Sequence, residues 1–257
     1  MFSRCGKYLT TFFLLIFPFS FLHADDASFE KIFRDLNVEG TLIVSSLKSN
    51  ELYIYNPQRA DKRFCPASTF KIAHTLIALN ENLVDSADTL IQWDGVKREY
   101  DVWNQDQTLR SAMRVSCVWC YQKFSQQISK KDYINYLEKF NYGNKKVGER
   151  KSHFWLDGSL EISTYEQIEF LKKLYNEELP TSKKYIDILK EIITIEKTSH
   201  YELKAKTGWS GTIGWYVGYV TTNSGVYFFT LNADINKEQL ALRKELVYKA
   251  LRAKNII

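Results

Sequence analysis

The segment Pro66-Ala-Ser-Thr-Phe-Lys-Ile-Ala-His-Thr-Leu-Ile-Ala-Leu-Asn80 predicts a buried central helix with a serine at its start. Apolar side chains surround this helix nearly completely, which is typical of a helix enclosed by other elements. The apolar residues are Phe70, Ile72, Ala73, Leu76 and Ile77. Ser68 and Lys71 lie three residues apart, so both side chains project to the same side of the helix and can touch.

This pairing favours nucleophilic chemistry, because a serine hydroxyl attacks only when a nearby base removes its proton. A lysine on a buried helix is poorly solvated, which lowers its pKa and makes the neutral amine accessible. That amine can act as a base or react with carbon dioxide to give a carbamate. The motif alone is weak, since Ser-x-x-Lys also occurs at Ser28/Lys31 and Ser45/Lys48, and an isolated copy is more often a capping serine with a solvated lysine.

The two ends of the chain predict strands, and the middle predicts helices. Alternating apolar stretches cover residues 40–47, 52–55, 203–207, 213–221 and 226–232. Helical periodicity covers residues 70–80, 121–128, 133–140, 165–175, 185–193 and roughly 237–252. This order predicts an α/β (α+β) fold, with an antiparallel sheet flanked by helices and an inserted all-helical subdomain. A cleft between sheet and helices is the expected site.

Residues 1–24 have the pattern of a secretory signal peptide, with two basic residues, an apolar stretch over 9–22 and a small residue, Ala24, before an acidic pair. The apolar stretch is short for a bilayer-spanning helix, which needs roughly 20 apolar residues, although a retained anchor stays open. We therefore expect residues 25–257 to form a single catalytic domain, exported to the periplasm without a stable membrane anchor.

Charge and motifs exclude several other classes. The 35 basic and 30 acidic residues are interspersed, so the formal charge of +5 predicts no nucleic-acid partner. The sequence contains no His-Glu-x-x-His, no P-loop and no Gly-x-Ser-x-Gly, and no metal is expected.

Three cysteines follow residue 24, namely Cys65, Cys117 and Cys120, so at most one internal disulfide can form. Export permits such a bond, and Cys65 is a candidate partner. Cys117-Val-Trp-Cys120 has no thioredoxin-like surroundings and no second ligand pair for zinc, and it is interpreted most simply as small buried residues on a helix. The sequence leaves the pairing open.

Five motifs, of which the serine–lysine pair is the first, follow one another in an ordered set. They are Ser68-Thr-Phe-Lys71, Ser116-Cys-Val118, Tyr142-Gly-Asn144, Phe154-Trp-Leu-Asp-Gly158 and Lys206-Thr-Gly208, with Trp103-Asn104 and Gly214-Trp215 beside them. Together they resemble the class D (OXA-type) β-lactamases over essentially the whole chain after the leader. The resemblance implies hydrolysis of β-lactam antibiotics through a serine acyl-enzyme, and hence antibiotic resistance.

The resemblance also implies roles for individual residues. Ser68 attacks the lactam carbonyl, and the backbone N–H groups of Ser68 and Trp209 form the oxyanion hole. Lys71 is N-carboxylated by carbon dioxide or bicarbonate, with no dissociable cofactor, and is the general base for acylation and deacylation. An apolar Val118 favours the neutral amine that carboxylates. The indole N–H of Trp155 holds the carbamate, since indole is only a donor.

Ser116 is implied to pass a proton to the leaving lactam nitrogen. The implied substrate-binding residues are Trp103, Lys206, Thr207, Gly208 and Arg243, with the Lys206-Thr207 pair on a predicted edge strand. Tyr142 and Asn144 are expected to shape the far wall of the cleft. Cys117 and Cys120 place thiols around the carbamate pocket, where a disulfide or oxidation could disturb it.

The segment Trp209-Ser-Gly-Thr212 between two late strands is short and leaves the cleft wall open, so we hypothesise that penicillins are better substrates than carbapenems. The rival interpretation is a penicillin-binding sensor or transpeptidase-like protein that acylates without turnover, although a transpeptidase tends to carry a polar Asn at the place of Val118. A scaffold without chemistry is a second alternative. The sequence does not fix the oligomeric state.

Overall fold

The computed structural model describes residues 25–49 and 51–257. Its strands are β1 Gly40–Ser46, β2 Leu52–Tyr55, β3 Leu90–Ile91, β4 Gln107–Thr108, β5 Thr194–Lys197, β6 Tyr201–Trp209, β7 Ile213–Thr222 and β8 Gly225–Asp234. Its α-helices are α1 Ala27–Asp35, α2 Pro57–Ala60, α3 Lys71–Asn80, α4 Leu109–Arg114, α5 Val118–Gln127, α6 Lys130–Phe140, α7 Thr164–Tyr175, α8 Lys183–Ile192 and α9 Leu242–Ala253. Short 3₁₀ turns span Ala67–Phe70 and Asp101–Trp103.

The main sheet joins strands from both ends of the chain. Its order is β2-β1-β8-β7-β6-β5, and each neighbouring pair is antiparallel. The long strands β7 and β8 form a tight hairpin, whose last register pair is Thr222 with Gly225. Because β1 lies against β8, the N-terminal strands close the sheet formed by the C-terminal ones.

Helices cover both faces of this sheet, as alternating side chains require. On one face α1 and α9 pack against the sheet, with Phe33, Phe229 and Leu246 fully buried between the layers. On the other face lie α7 and the helical lobe, which comprises α3, α4, α5, α6 and α8. The predicted fold class, an antiparallel sheet flanked by helices with an inserted helical subdomain, is confirmed.

The central helix α3 is buried on every side from Lys71 to Leu79, as its apolar pattern predicts. The 3₁₀ turn leads into it and carries Ser68. Ala67 has a φ of +48°, a left-handed conformation that is unfavourable for a residue with a β-carbon. The surroundings therefore hold the chain in a bent path immediately before the serine.

The last helix begins later than predicted. Residues 237–241 were expected in the helix, but α9 begins at Leu242. The side chains of Asn236 and Gln239 instead accept hydrogen bonds from each other's backbone N–H, at 3.0 and 3.2 Å. Asparagine side chains bond nearby backbone in this way and favour a turn over a helix.

Among the described residues, no helix combines the length and the apolar character that crossing a bilayer demands. The predicted signal peptide, residues 1–24, falls outside the described residues.

Candidate active site

Ser68 and Lys71 meet as the helical spacing predicts. The Nζ of Lys71 donates a hydrogen bond to the Oγ of Ser68 at 3.1 Å. The other two Ser-x-x-Lys copies do not make this contact: Ser28 bonds to Asp26, and Ser45 to its neighbouring carbonyl. The buried helix is thus what distinguishes the one pair in which a lysine amine can act on a serine hydroxyl.

Burial changes the acidity of Lys71. The side chain is fully buried, and among the described residues it makes no ion pair with a carboxylate. Loss of solvation lowers its pKa from 10.5 to about 7. A substantial fraction of the amine is then neutral near physiological pH, as a base or a carboxylation target requires.

Ser116 occupies the corner between α4 and α5. It has a φ of +55°, and its backbone N–H donates to the carbonyl oxygen of Met113, while that of Cys117 donates to Ala112. These two bonds form a Schellman motif, which normally places glycine at the left-handed position. The Nζ of Lys206 donates to the Oγ of Ser116, so the corner directs this hydroxyl toward the sheet.

The strand that carries Lys206 is not the edge of the sheet, contrary to the prediction. β5 pairs with β6 as far as Lys204, and the N–H of Ala205 donates to Ile193. Beyond that point, the described residues place no strand beside Lys206–Trp209 on this side. The short β5, which has charged residues and no apolar alternation, gave no usable signal in the sequence. The half of β6 from Lys206 to Trp209 is nevertheless free of a strand on this side and borders the cleft.

A cavity of about 380 Å³ opens where these elements meet. Its lining residues are Ser68, Tyr100, Val102, Trp103, Val115, Ser116, Val118, Leu156, Thr207, Gly208, Trp209, Gly211 and Arg243. The structure therefore brings together most of the site residues named from the sequence. Lys71, Trp155 and Lys206 do not line this cavity and are buried next to it.

The cations of the site lack counter-charges. Within the described parts of the chain, none of Lys71, Lys206 and Arg243 forms an ion pair. Burial, and then the positive charge of Lys71, lower the pKa of Lys206 well below its usual range. Burial also lowers the pKa of Arg243. A site with this charge balance favours anions.

The side chain of Arg243 passes over Gly214 and lines the cavity. Its Nη1 donates to the carbonyl oxygen of Gly208 at 2.8 Å, and its Nε donates to Leu240. A β-carbon at Gly214 would lie 3.1 Å from the Cγ and Cδ of Arg243. The glycine of the Gly214-Trp215 pair thus provides room for the arginine.

Trp155 is fully buried, and its indole Nε1 has no hydrogen-bond partner among the described residues. Its ring packs against Phe70 and His74, at centroid distances of 5.9 and 5.1 Å. These two residues flank Lys71 on the same helical segment. Since an unpaired buried donor is costly, the indole N–H marks a place for an acceptor.

Tyr142 and Asn144 do not line the cavity, so the expectation that they shape its wall is wrong. Tyr142 is buried against Phe70. Asn144 donates from its Nδ2 to the carbonyl oxygen of Ser159 and accepts from the N–H of Glu161. These bonds fix the segment that follows Trp155. Their effect on the site is therefore indirect: Tyr142 packs in the core, and Asn144 holds the segment after Trp155 in place.

Comparison with known proteins agrees with this geometry. The family model described as the penicillin binding protein transpeptidase domain matches residues 40–252. Beta-lactamase OXA-20 of Pseudomonas aeruginosa is 40% identical over 253 residues, which cover 95% of both chains. Beta-lactamase OXA-2 of Salmonella typhimurium is 39% identical over 240 residues, which cover 90% of this chain and 87% of that one. The chain belongs to the class D β-lactamases.

Solved structures give the same assignment. The class D β-lactamase FUS-1 (OXA-85) from Fusobacterium nucleatum subsp. polymorphum superposes with a TM-score of 0.88 at 36% identity. The match covers 91% of this chain and 100% of that one. The family resemblance inferred from the five motifs is therefore confirmed.

The cysteine pairing in this class D β-lactamase differs from the candidate pairing with Cys65. Cys117 and Cys120 form a disulfide, and Cys65 is free. The Sγ of Cys65 donates to the carbonyl oxygen of Trp155 at 3.0 Å. Cys117 and Cys120 are fully buried, as expected, but they are linked to each other.

Several residues of the class D site were not assigned from the sequence. Tyr100, Val102 and Leu156 line the cavity, and the ring centroid of Tyr121 lies 5.0 Å from the Nζ of Lys71. Tyr100 and Val102 precede the quoted Trp103-Asn104 pair, so their position beside a motif was the available signal. Nothing in the local pattern separates Tyr121 from an ordinary core aromatic.

Gly208→Ala is expected to lower the kcat/KM of this β-lactamase about tenfold for a chromogenic β-lactam. An added β-carbon would lie 2.9 Å from the carbonyl oxygen of Pro66 and 3.1 Å from the Cγ2 of Thr69. It would therefore push β6 away from the turn that carries Ser68. Ser210→Ala, in the same hairpin, is the matched control and should retain wild-type kinetics. Equal kinetics for both variants, with unchanged melting temperatures, would contradict this close-packing argument.

Proposed function

We propose that the protein hydrolyses the β-lactam ring of penicillin-type antibiotics through an acyl-enzyme on Ser68 and so confers resistance. The observation that carries the proposal is the 3.1 Å contact between the Ser68 hydroxyl and the buried Lys71 amine, at the edge of a cavity that favours anions. The amine, with a pKa lowered to about 7, activates a serine that is otherwise a weak nucleophile. The relatives named β-lactamase support the reaction class.

We further propose that Lys71 is N-carboxylated by carbon dioxide or bicarbonate. Three observations support this: the lysine is buried without a counter-ion, its pKa is low, and the indole N–H of Trp155 lacks a partner. Trp155 would hold the carbamate by donation, and the apolar Val118 would favour the neutral amine. When present, the group supplies a base for both acylation and deacylation.

Ser116 is proposed to protonate the departing lactam nitrogen. Its hydroxyl oxygen accepts from the Nζ of Lys206, so its own proton remains available to donate. Burial lowers the pKa of Lys206, which makes it easier for this lysine to replace the proton that Ser116 gives up. This arrangement couples the two residues in one proton-transfer step.

Substrate binding is assigned to the walls of the cavity. Thr207 and Arg243 are proposed to bind the substrate carboxylate, with the positive charge of Lys206 close by. The backbone N–H groups of Ser68 and Trp209 are proposed as the oxyanion hole. Trp103 is proposed to contact the substrate side chain.

The preference for penicillins over carbapenems remains a proposal. The connection from β6 to β7 comprises only residues 210–212 and contains Gly211 with a φ of +95°. Such a short connection places little protein above the cavity. Measured kcat/KM values for one penicillin and one carbapenem test this preference, and comparable values would contradict it.

Export to the periplasm through a signal peptide at residues 1–24 is also part of the proposed function.

The decisive experiment is a time course of a chromogenic β-lactam with the purified protein that begins after residue 24. Sustained turnover supports the hydrolase. A single burst that matches the enzyme concentration supports the alternative, a sensor or transpeptidase-like protein that acylates and stops. No reaction and no covalent labelling by a fluorescent penicillin would contradict both the hydrolase and the acylating protein. The remaining interpretation would then be a scaffold protein without chemistry.

A further inference from the structure

The cystine lies at the same helix corner as Ser116. Cys117 is simultaneously the residue that ends the Schellman motif of α4 and the N-cap of α5. Its Sγ is bonded to that of Cys120, in the first turn of α5. The disulfide therefore closes a four-residue ring immediately after the serine proposed to protonate the leaving group.

This corner needs an external constraint. Ser116 has a left-handed backbone conformation, which is unfavourable for a residue with a β-carbon and persists only where its surroundings fix it. Cysteine is also a poor N-cap, since good caps are serine, threonine, aspartate and asparagine. The covalent link to Cys120 holds the start of α5, where the sequence offers no strong capping side chain.

The same first turn positions two further groups, one in the cavity wall and one against Lys71. Val118 lies inside the disulfide ring and lines the cavity. Tyr121 follows Cys120 directly, and its ring contacts the Lys71 amine while its hydroxyl bonds to Thr75 on α3 at 2.8 Å. A rotation of this turn would move Ser116, Val118 and Tyr121 together.

We propose that the Cys117–Cys120 disulfide is a positioning element of the active site. It fixes the backbone that carries Ser116 beside Lys206, keeps Val118 in the cavity wall and keeps the ring of Tyr121 against Lys71. Both sulfur atoms are fully buried, which suits a permanent link and not a redox centre that exchanges with other thiols. The inference rests on the proposed function and adds that full activity requires formation of this bond.

The test compares the wild type with the Cys117→Ser/Cys120→Ser double variant. Serine at position 117 restores a good N-cap acceptor, so the variant removes the covalent link and keeps the cap. We expect kcat for a chromogenic penicillin to fall about tenfold. KM should change much less, because Thr207 and Arg243 lie on other elements. The bicarbonate concentration that gives half-maximal rate should rise, since the ring of Tyr121 no longer packs tightly against Lys71.

A disulfide that only stabilises the fold gives a different result. The variant would then melt at a lower temperature, but kcat and the bicarbonate response of the folded protein would equal those of the wild type, and the proposal would be overturned. Turnover by the wild type in the same assay separates a failure of the proposed function from a failure of the proposed role of the disulfide. A wild type that neither turns over nor acylates contradicts the proposed function and this inference with it, whereas matching kinetics contradict the inference alone.

If the double variant does not fold, the wild-type protein itself provides the comparison. It is refolded from denaturant with or without a dithiol reductant, which supplies two electrons and two protons to the cystine and becomes a disulfide itself. With the protein that begins after residue 24, and therefore lacks Cys5, thiol titration in denaturant should find one thiol, Cys65, in the oxidised form and two more in the reduced one. We expect the reduced protein to show the same tenfold loss of kcat. Equal rates overturn the proposal.

Discussion

Ser68→Ala should abolish covalent labelling by a fluorescent penicillin and reduce turnover of a chromogenic β-lactam by about 10⁴-fold or more. The hydroxyl is the atom that accepts the Lys71 hydrogen bond, and alanine offers no substitute nucleophile. The fold should persist, because the change removes one oxygen from a small buried side chain. Mass spectrometry after incubation with the penicillin measures the adduct directly.

The chain supplies its own control for this experiment. Ser28 also precedes a lysine by three residues on a helix, but it bonds to Asp26, and Lys31 pairs with Asp35. Ser28→Ala should therefore label and turn over like the wild type. A Ser68→Ala protein that still forms the adduct would show that another residue is the nucleophile.

The helix α3 shows which parts of the fold and of the site can be predicted from the sequence. Its apolar residues surround the helix, so burial, and with it the lowered pKa of Lys71, follow from composition and spacing alone. The long strands β7 and β8 were predicted for a similar reason, since alternation over many residues is a strong signal. Local patterns of sufficient length therefore determine the sheet, the central helix and the serine–lysine pair.

The elements that the sequence missed depend on contacts between distant segments. β5 is short and has little apolar character, and it exists because β6 offers a pairing edge up to Lys204. The corner at Ser116 requires a left-handed serine, whereas local preference would place glycine there. Tyr142 and Asn144 belong to a recognised motif, yet Tyr142 packs against Phe70, and Asn144 bonds to the backbone of Ser159 and Glu161. A motif identifies such residues without revealing what they contact.

The disulfide is another feature that the sequence alone does not determine. Three cysteines permit three pairings, and each cysteine was a possible partner until the helix boundaries were known. Because α5 begins at Val118, Cys117 caps the helix and Cys120 lies above it in the first turn, which brings the two together. The pairing thus follows from a helix start, and boundaries are what sequence patterns locate least well.

The second large effect concerns pH. With the pKa of Lys71 near 7, the neutral amine is the major form above pH 7 and falls about tenfold for each unit below it. Because only the neutral amine can carboxylate, we expect kcat measured without added bicarbonate to decline about eightfold from pH 6.5 to pH 5.5. Added bicarbonate should restore part of the rate, since it opposes loss of the proposed carbamate by mass action.

Trp155→Phe tests whether the unpaired indole N–H holds this group. Without the donor the carbamate loses a partner, so the half-saturating bicarbonate concentration should rise at least about fivefold, which corresponds to one hydrogen bond of about 1 kcal/mol. Trp215→Phe is the matched control, because Trp215 is equally buried but donates to the carbonyl oxygen of Cys65. It should keep the wild-type bicarbonate response. A ¹³C resonance from labelled bicarbonate, present in the wild type and lost in Lys71→Ala, reports the carbamate independently of activity. If that resonance is absent, Lys71 acts as a free amine and the low pKa alone accounts for its basicity. If the resonance is present but both tryptophan variants respond to bicarbonate alike, the role of Trp155 in holding the carbamate is contradicted.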